Sequence, residues 1–145
     1  MPDRRVLFVC TGNLCRSPMA EAIADQGWGS ESLRFGSAGV LAVEGAPATR
    51  AARLACEEAG ADLSGHRARQ FTAEMADGAD EILVMSVAHL RRVREIAPEA
   101  GDKAALLRPD GAEVDDPYGL PVEVYRATRD EITAALEARL GPPVE

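Results

Sequence analysis

Two hydrophobic rhythms alternate along this chain. Val6-Leu7-Phe8-Val9 and Ile82-Leu83-Val84-Met85 (the latter opened by Glu81) are apolar runs without polar relief, the pattern of strands buried on both faces. Leu33–Gly39 alternates weakly and predicts a short second strand, and Ala104-Ala105-Leu106-Leu107 predicts a short edge strand. Between these the period changes to that of a helix. One helix is expected from about Ser17 to Gln26, with Ser17 as N-cap and Pro18 as its first residue. Another should run from Pro47 to Ala59, with Ala48, Ala51, Ala52, Ala55 and Ala59 on one face and Cys56 beside it as a small buried residue. Thr72–Gly78 reads as a short capped turn of helix. Val87, Leu90, Val93 and Ala97 mark the inner stripe of the next helix, and Tyr125, Ile132, Leu136 and Leu140 that of a last one beginning after Pro121. Glycine and proline clusters punctuate the intervals, notably at 27–30, 40–47, 98–102 and 109–117.

Strands alternating with helices predict an α/β fold of three layers, a short parallel sheet covered by helices on both faces. A chain of 145 residues without repeats or linkers is expected to form a single domain, 1–145. Right-handed crossovers put the loop after the first strand at the carboxyl edge of the sheet, where such folds bind ligands.

Charge narrows the partners. A formal net charge of −8 disfavours nucleic acid or an anionic membrane as the main partner. No apolar run approaches the ~20 residues that span a bilayer. The chain enters a strand at once without a signal-peptide pattern, and its three cysteines lack framework spacing, so a reducing, cytoplasmic setting is expected. His66 and His89 stand apart from any cysteine cluster, so no metal and no cofactor are expected.

Candidate chemistry concentrates between the first strand and first helix, in Cys10-Thr11-Gly12-Asn13-Leu14-Cys15-Arg16-Ser17. A strand–loop–helix junction converges backbone N–H groups on an anion, and the helix N-terminus adds positive potential. Cys10 would emerge into that cradle as a stabilised thiolate nucleophile. Arg16 can fork onto two phosphoryl oxygens, and Ser17 can donate to the sulfur. Gly12 is expected to supply a positive φ and a close backbone approach. Thiolate displacement at phosphorus also needs a proton for the leaving oxygen. The candidates lie in Val114-Asp115-Asp116-Pro117-Tyr118-Gly119, where chemistry alone leaves Asp115 and Asp116 both open.

Val-Leu-Phe-Val-Cys-Thr-Gly-Asn-Leu-Cys-Arg-Ser resembles the active-site loop of the low-molecular-weight protein tyrosine phosphatases. Ser37-Ala38-Gly39, Gly65–Gln70 and Asp116-Pro117-Tyr118-Gly119 extend the resemblance over nearly the whole chain. It implies strand order 2-1-3-4, which periodicity cannot supply. It implies Cys10, Arg16 and Asp116 as catalytic residues and Thr11 to Cys15 with Ser17 as the phosphate loop. Leu14 and Tyr118 would form the cleft, while Asn13, Ser17, Ser37 and His66 support the loop. The implied activity is hydrolysis of phosphotyrosine in proteins, by a monomer, through a phosphocysteine intermediate.

Two other activities occur on this family's fold. Protein-arginine phosphatases of the bacterial branch carry threonine where this chain has Leu14, and are the alternative reading. Thioredoxin-coupled arsenate reductases need two further cysteines after the third strand, and residues 80–96 contain none. Cys10 and Cys15 share one compact loop, from which a protective disulfide under peroxide is expected.

Overall fold

The computed structural model describes residues 3–143. Its four parallel strands, β1 (Arg4–Cys10), β2 (Leu33–Gly39), β3 (Glu81–Val84) and β4 (Ala104–Leu106), form one sheet in the order β2-β1-β3-β4. β1 is central. Arg4 to Cys10 pair with Leu33 to Gly39 on one side, and Val6 to Val9 with Glu81 to Val84 on the other.

Because successive strand residues point to opposite faces, the unbroken apolar run of β1 builds two cores at once. Val6, Phe8 and Cys10 face α1 (Arg16–Trp28), α2 (Arg50–Glu58) and α5 (Val122–Leu140). Leu7 and Val9 face α3 (Ala73–Gly78) and α4 (Val87–Ile96). Phe8 and Val9 are wholly buried, one on each side. Fully burying such a side chain stabilises the fold by roughly 1.5–3 kcal/mol.

Several helix ends differ from expectation. α1 begins at Arg16 with Cys15 in the cap position, and no side chain caps it. Ser17 is therefore not the N-cap; it lies inside the first turn, which leaves its hydroxyl free for the loop. α2 begins only at Arg50, because Thr49 takes the cap and accepts from the Ala52 N–H. In α4 the Ser86 cap turns Val87 outward (40% exposed), and His89 joins Val93 on the buried stripe instead.

The topology fixes where chemistry can occur. After β1 the chain crosses to β2 on one side, and after β3 it proceeds to β4 on the other. The loops leaving β1 and β3 diverge there and open a crevice at their carboxyl ends. Successive backbone bonds seal its base: the Met85 N–H donates to Val9 O, and the Val114 N–H to Met85 O. The segment carrying Asp115 and Asp116 is thereby tethered to the end of β3.

Candidate active site

Cys10 ends β1 with its side chain buried and its Sγ 2.9 Å from Ser17 Oγ. Ser17 Oγ also accepts from Asn13 Nδ2 at 2.8 Å, and its own proton can point at the sulfur or at Ala38 O, 3.4 Å away. Towards a thiolate, Ser17 is necessarily the donor.

Asn13 is the residue that bends the loop. It is wholly buried and takes a left-handed conformation, φ +57°. Asparagine tolerates that region better than most residues, and here it is held there by four bonds. Its Nδ2 donates to Ser17 Oγ and to Ser37 Oγ (2.9 Å), its Oδ1 accepts from the Arg69 N–H (2.9 Å), and its carbonyl meets His66 Nε2 at 2.8 Å. Ser37 in turn donates to Glu21 Oε1 at 2.6 Å. The structure thus brings Asn13, Ser17, Ser37 and His66 into one network.

The positive φ expected at Gly12 belongs to Asn13 instead. The close approach belongs to Gly39, where a Cβ would stand 2.5 Å from Thr11 O and 2.8 Å from Asn13 N. Only glycine at the end of β2 lets the loop fold against the sheet.

Arg16 is 5% exposed, and its Nη1 donates to Val114 O at 2.9 Å. Its Nη2 lies 3.6 Å from Asp116 Oδ2, and Nε has no partner among the described residues. A buried unpaired donor costs about 1–3 kcal/mol, so the Nε–Nη2 edge is arranged for an acceptor that arrives with a ligand. Asp116 is half-exposed, and its Oδ1 accepts from the Tyr118 N–H at 3.1 Å in an Asx turn. Asp116 lines the cleft with Cys10, Thr11, Gly12, Leu14, Cys15, Arg16 and Tyr118, and Asp115 does not. The cleft holds about 200 Å³. A groove of about 410 Å³ between β1, β2 and α3 is larger but contains no nucleophile.

A buried cysteine at the end of a central strand, a folded loop and a buried arginine with one edge open thus meet in a single cleft. The sequence model of the low molecular weight phosphotyrosine protein phosphatases matches residues 5–141. The chain belongs to that family.

It is accordingly a phosphatase, a phosphoric monoester hydrolase of the low-molecular-weight type. Its relatives divide between two substrates. A protein-arginine-phosphatase of Geobacillus stearothermophilus is 41% identical over 138 residues, covering 92% of this chain and 91% of that one. A probable low molecular weight protein-tyrosine-phosphatase of Ralstonia solanacearum is 39% identical, covering 79% of each. Among solved structures, the low molecular weight protein tyrosine phosphatase of T. tengcongensis superposes with a TM-score of 0.88 at 40% identity, covering 95% of this chain and 98% of that one.

The other two cysteines of this phosphatase are buried as well. Cys15 Sγ turns to Tyr125 Oη (3.4 Å) and Thr49 Oγ1 (3.6 Å), and burial pushes its thiol up despite those bonds. Burial drives Cys56 to about 12. Both remain protonated near neutral pH. All three cysteines are free thiols.

Sequence reasoning missed several contributors, among them Gly39, Glu21, Arg69 as a partner of Asn13, Tyr125 as a partner of Cys15, and His89. Of these, His89 carried a signal, since it precedes Val93 by one helical turn and so lay on the same stripe. Its Nε2 meets Thr11 Oγ1 at 2.8 Å. Among the described residues no helix is long and apolar enough to cross a membrane, and no group of His, Cys, Asp and Glu is placed to hold a metal ion.

Proposed function

We propose that this phosphatase hydrolyses phosphotyrosine in proteins, with Leu14 beside the reacting centre as the observation that carries the choice. Leu14 lines the cleft together with Tyr118, and its side chain lies near Gly12, where a Cβ would stand 3.6 Å from it. A branched aliphatic and an aromatic make an apolar slot for a phenyl ring. A guanidinium in that slot would leave N–H donors without partners, at roughly 1–3 kcal/mol per unsatisfied group.

The geometry supports the following mechanism. The Cys10 thiolate attacks phosphorus in line, the loop amides and the open edge of Arg16 take the equatorial oxygens, and Asp116 protonates the departing phenolate. Water then cleaves the S–P bond of phosphocysteine, with Asp116 accepting its proton. Ser17 donates to the sulfur as it leaves. Arg16 and the amides supply the positive charge that a metal supplies in other phosphatases.

The contact between Asp116 Oδ2 and Arg16 Nη2 supports Asp116 over Asp115 as the acid. Asp116→Asn should slow hydrolysis by about 10²–10⁴-fold for leaving groups of high pKa and far less for good ones. Asp115→Asn should leave that dependence intact. A series of aryl phosphates checks both, and the reverse pattern would transfer the role to Asp115.

The second reading, a protein-arginine-phosphatase cleaving a P–N bond, is supported by the 41% identity to the Geobacillus enzyme. Initial rates on phosphotyrosine and phosphoarginine peptides separate the two. Wild-type protein should show the higher kcat/KM on phosphotyrosine, and Leu14→Thr should shift the ratio towards phosphoarginine by about ten-fold or more, the equivalent of one restored donor. A wild-type preference for phosphoarginine would overturn the first reading and install the second.

A further inference from the structure

We propose that Thr11 contributes its side-chain hydroxyl, and not only its backbone, as a hydrogen-bond donor to the bound phosphoryl group, and that His89 is the positioning residue that fixes the hydroxyl in the donating orientation. The proposal rests on the phosphoryl group sitting over Cys10.

His89 projects from the first turn of α4 into the protein, 4% exposed, although α4 belongs to the layer opposite α1. Its Nε2 reaches Thr11 Oγ1 at 2.8 Å, and its Nδ1 is buried with no partner among the described residues. Two neutral tautomers are available. If the proton sat on Nδ1, a buried N–H would have no acceptor. With the proton on Nε2, that N–H is satisfied by Thr11 and only a lone pair is left over at Nδ1. An under-satisfied acceptor is the more readily tolerated of the two, so the Nε2–H tautomer prevails.

The consequence falls on Thr11. Its oxygen accepts from His89, so its single hydroxyl proton has to be donated elsewhere. Thr11 is an exposed lining residue of the cleft, next to Cys10. A phosphoryl oxygen held by Arg16 is the strongest acceptor that can enter there, and bonds to charged acceptors are about twice as strong as neutral ones.

The imidazole has to stay neutral for this arrangement, and its surroundings ensure it. Burial first, then the Arg16 guanidinium, lower His89 to about 4, while Asp116 and Glu113 pull weakly the other way. Glu113 is further occupied by the Val87 N–H at 2.7 Å. Near neutral pH the ring is therefore neutral and donates from Nε2 to Thr11.

The test measures inorganic phosphate affinity by calorimetry separately from aryl phosphate turnover. Thr11→Val removes the hydroxyl at constant shape, and should weaken phosphate binding and lower kcat/KM by about ten-fold each. His89→Phe removes the orienting donor and should lose a similar factor, and the double variant should be no worse than either single one. His89→Gln places an amide N–H near Nε2 and should restore most of the loss, which a purely packing role for the ring would not predict. Phosphate binding by Thr11→Val at wild-type strength would overturn the proposal, and so would additive losses in the double variant. Should His89→Phe fail to fold, Thr11→Val and His89→Gln still decide it. Wild-type protein that binds phosphate but hydrolyses no aryl phosphate would instead overturn the phosphocysteine mechanism and leave the Thr11 donor standing.

Discussion

Cys10→Ser is expected to abolish turnover, by on the order of 10⁴-fold or more, while inorganic phosphate continues to bind at nearly wild-type strength. The two outcomes separate because different atoms carry them. Binding rests on the loop amides and on the Arg16 edge, and neither is touched by exchanging sulfur for oxygen. The loop's bend is held by Asn13 through Ser17, Ser37, Arg69 and His66, again without Cys10. In the proposed mechanism, chemistry rests on an anion at the end of β1. A serine hydroxyl is far less acidic than a thiol, and the group in contact with it, Ser17 Oγ, is itself a hydroxyl and no base. Neither Cys15 nor Cys56 can substitute, because burial holds both as thiols. Aryl phosphate hydrolysis and phosphate calorimetry on the same preparation check the prediction. Turnover surviving above about a hundredth of wild type would move the nucleophile elsewhere and undo the mechanism built on Cys10.

Arg16→Lys should lose both functions, with kcat/KM falling on the order of 10²–10³-fold and phosphate affinity about ten-fold or more. Charge is conserved in this exchange, so a loss of that size isolates geometry. Arg16 spends Nη1 on Val114 O, which ties the segment bearing Asp116 to the phosphate loop, and keeps Nε and Nη2 for the ligand. A lysine ammonium is a single point. If it bonds Val114 O it leaves the phosphoryl oxygens, and if it turns to them it releases Val114 and with it the placement of Asp116. Reduced phosphate affinity together with reduced kcat is the signature. A variant with only a raised KM would show that Arg16 contributes uniform binding and nothing specific to the transition state.

Much of this molecule is legible in its residues taken in order. The apolar run of β1 announces a strand covered on both sides, and β2 occupies the expected Leu33–Gly39. The cysteine, the arginine six positions on and the Ser-Pro that follows announce a phosphate loop, because these features are local: they depend on spacing within a single turn. Helix boundaries were less accessible. Ser17 looked like a cap since serine before proline favours that position, yet the cap geometry falls on Cys15. Local propensity lost to tertiary packing, which places the Ser17 hydroxyl 2.9 Å from the sulfur.

By itself, then, the sequence determined the alternation of strands and helices, the cysteine and arginine of the loop after β1 and the apolar character of Leu14. These are properties of residue type and short-range spacing, which the chain carries whether folded or not. The tertiary structure alone decided that Gly39 on a neighbouring strand and not Gly12 admits the close approach and that His89 sits against Thr11, and it set Asp116, which the family resemblance singles out, beside Arg16. Each of those depends on an approach between residues 26 to 100 positions apart, between Thr11 or Asn13 and Gly39, Thr11 and His89, or Arg16 and Asp116. No periodicity encodes such meetings; they follow from the order in which the strands pair and from the crossovers that bring their carboxyl ends to one crevice.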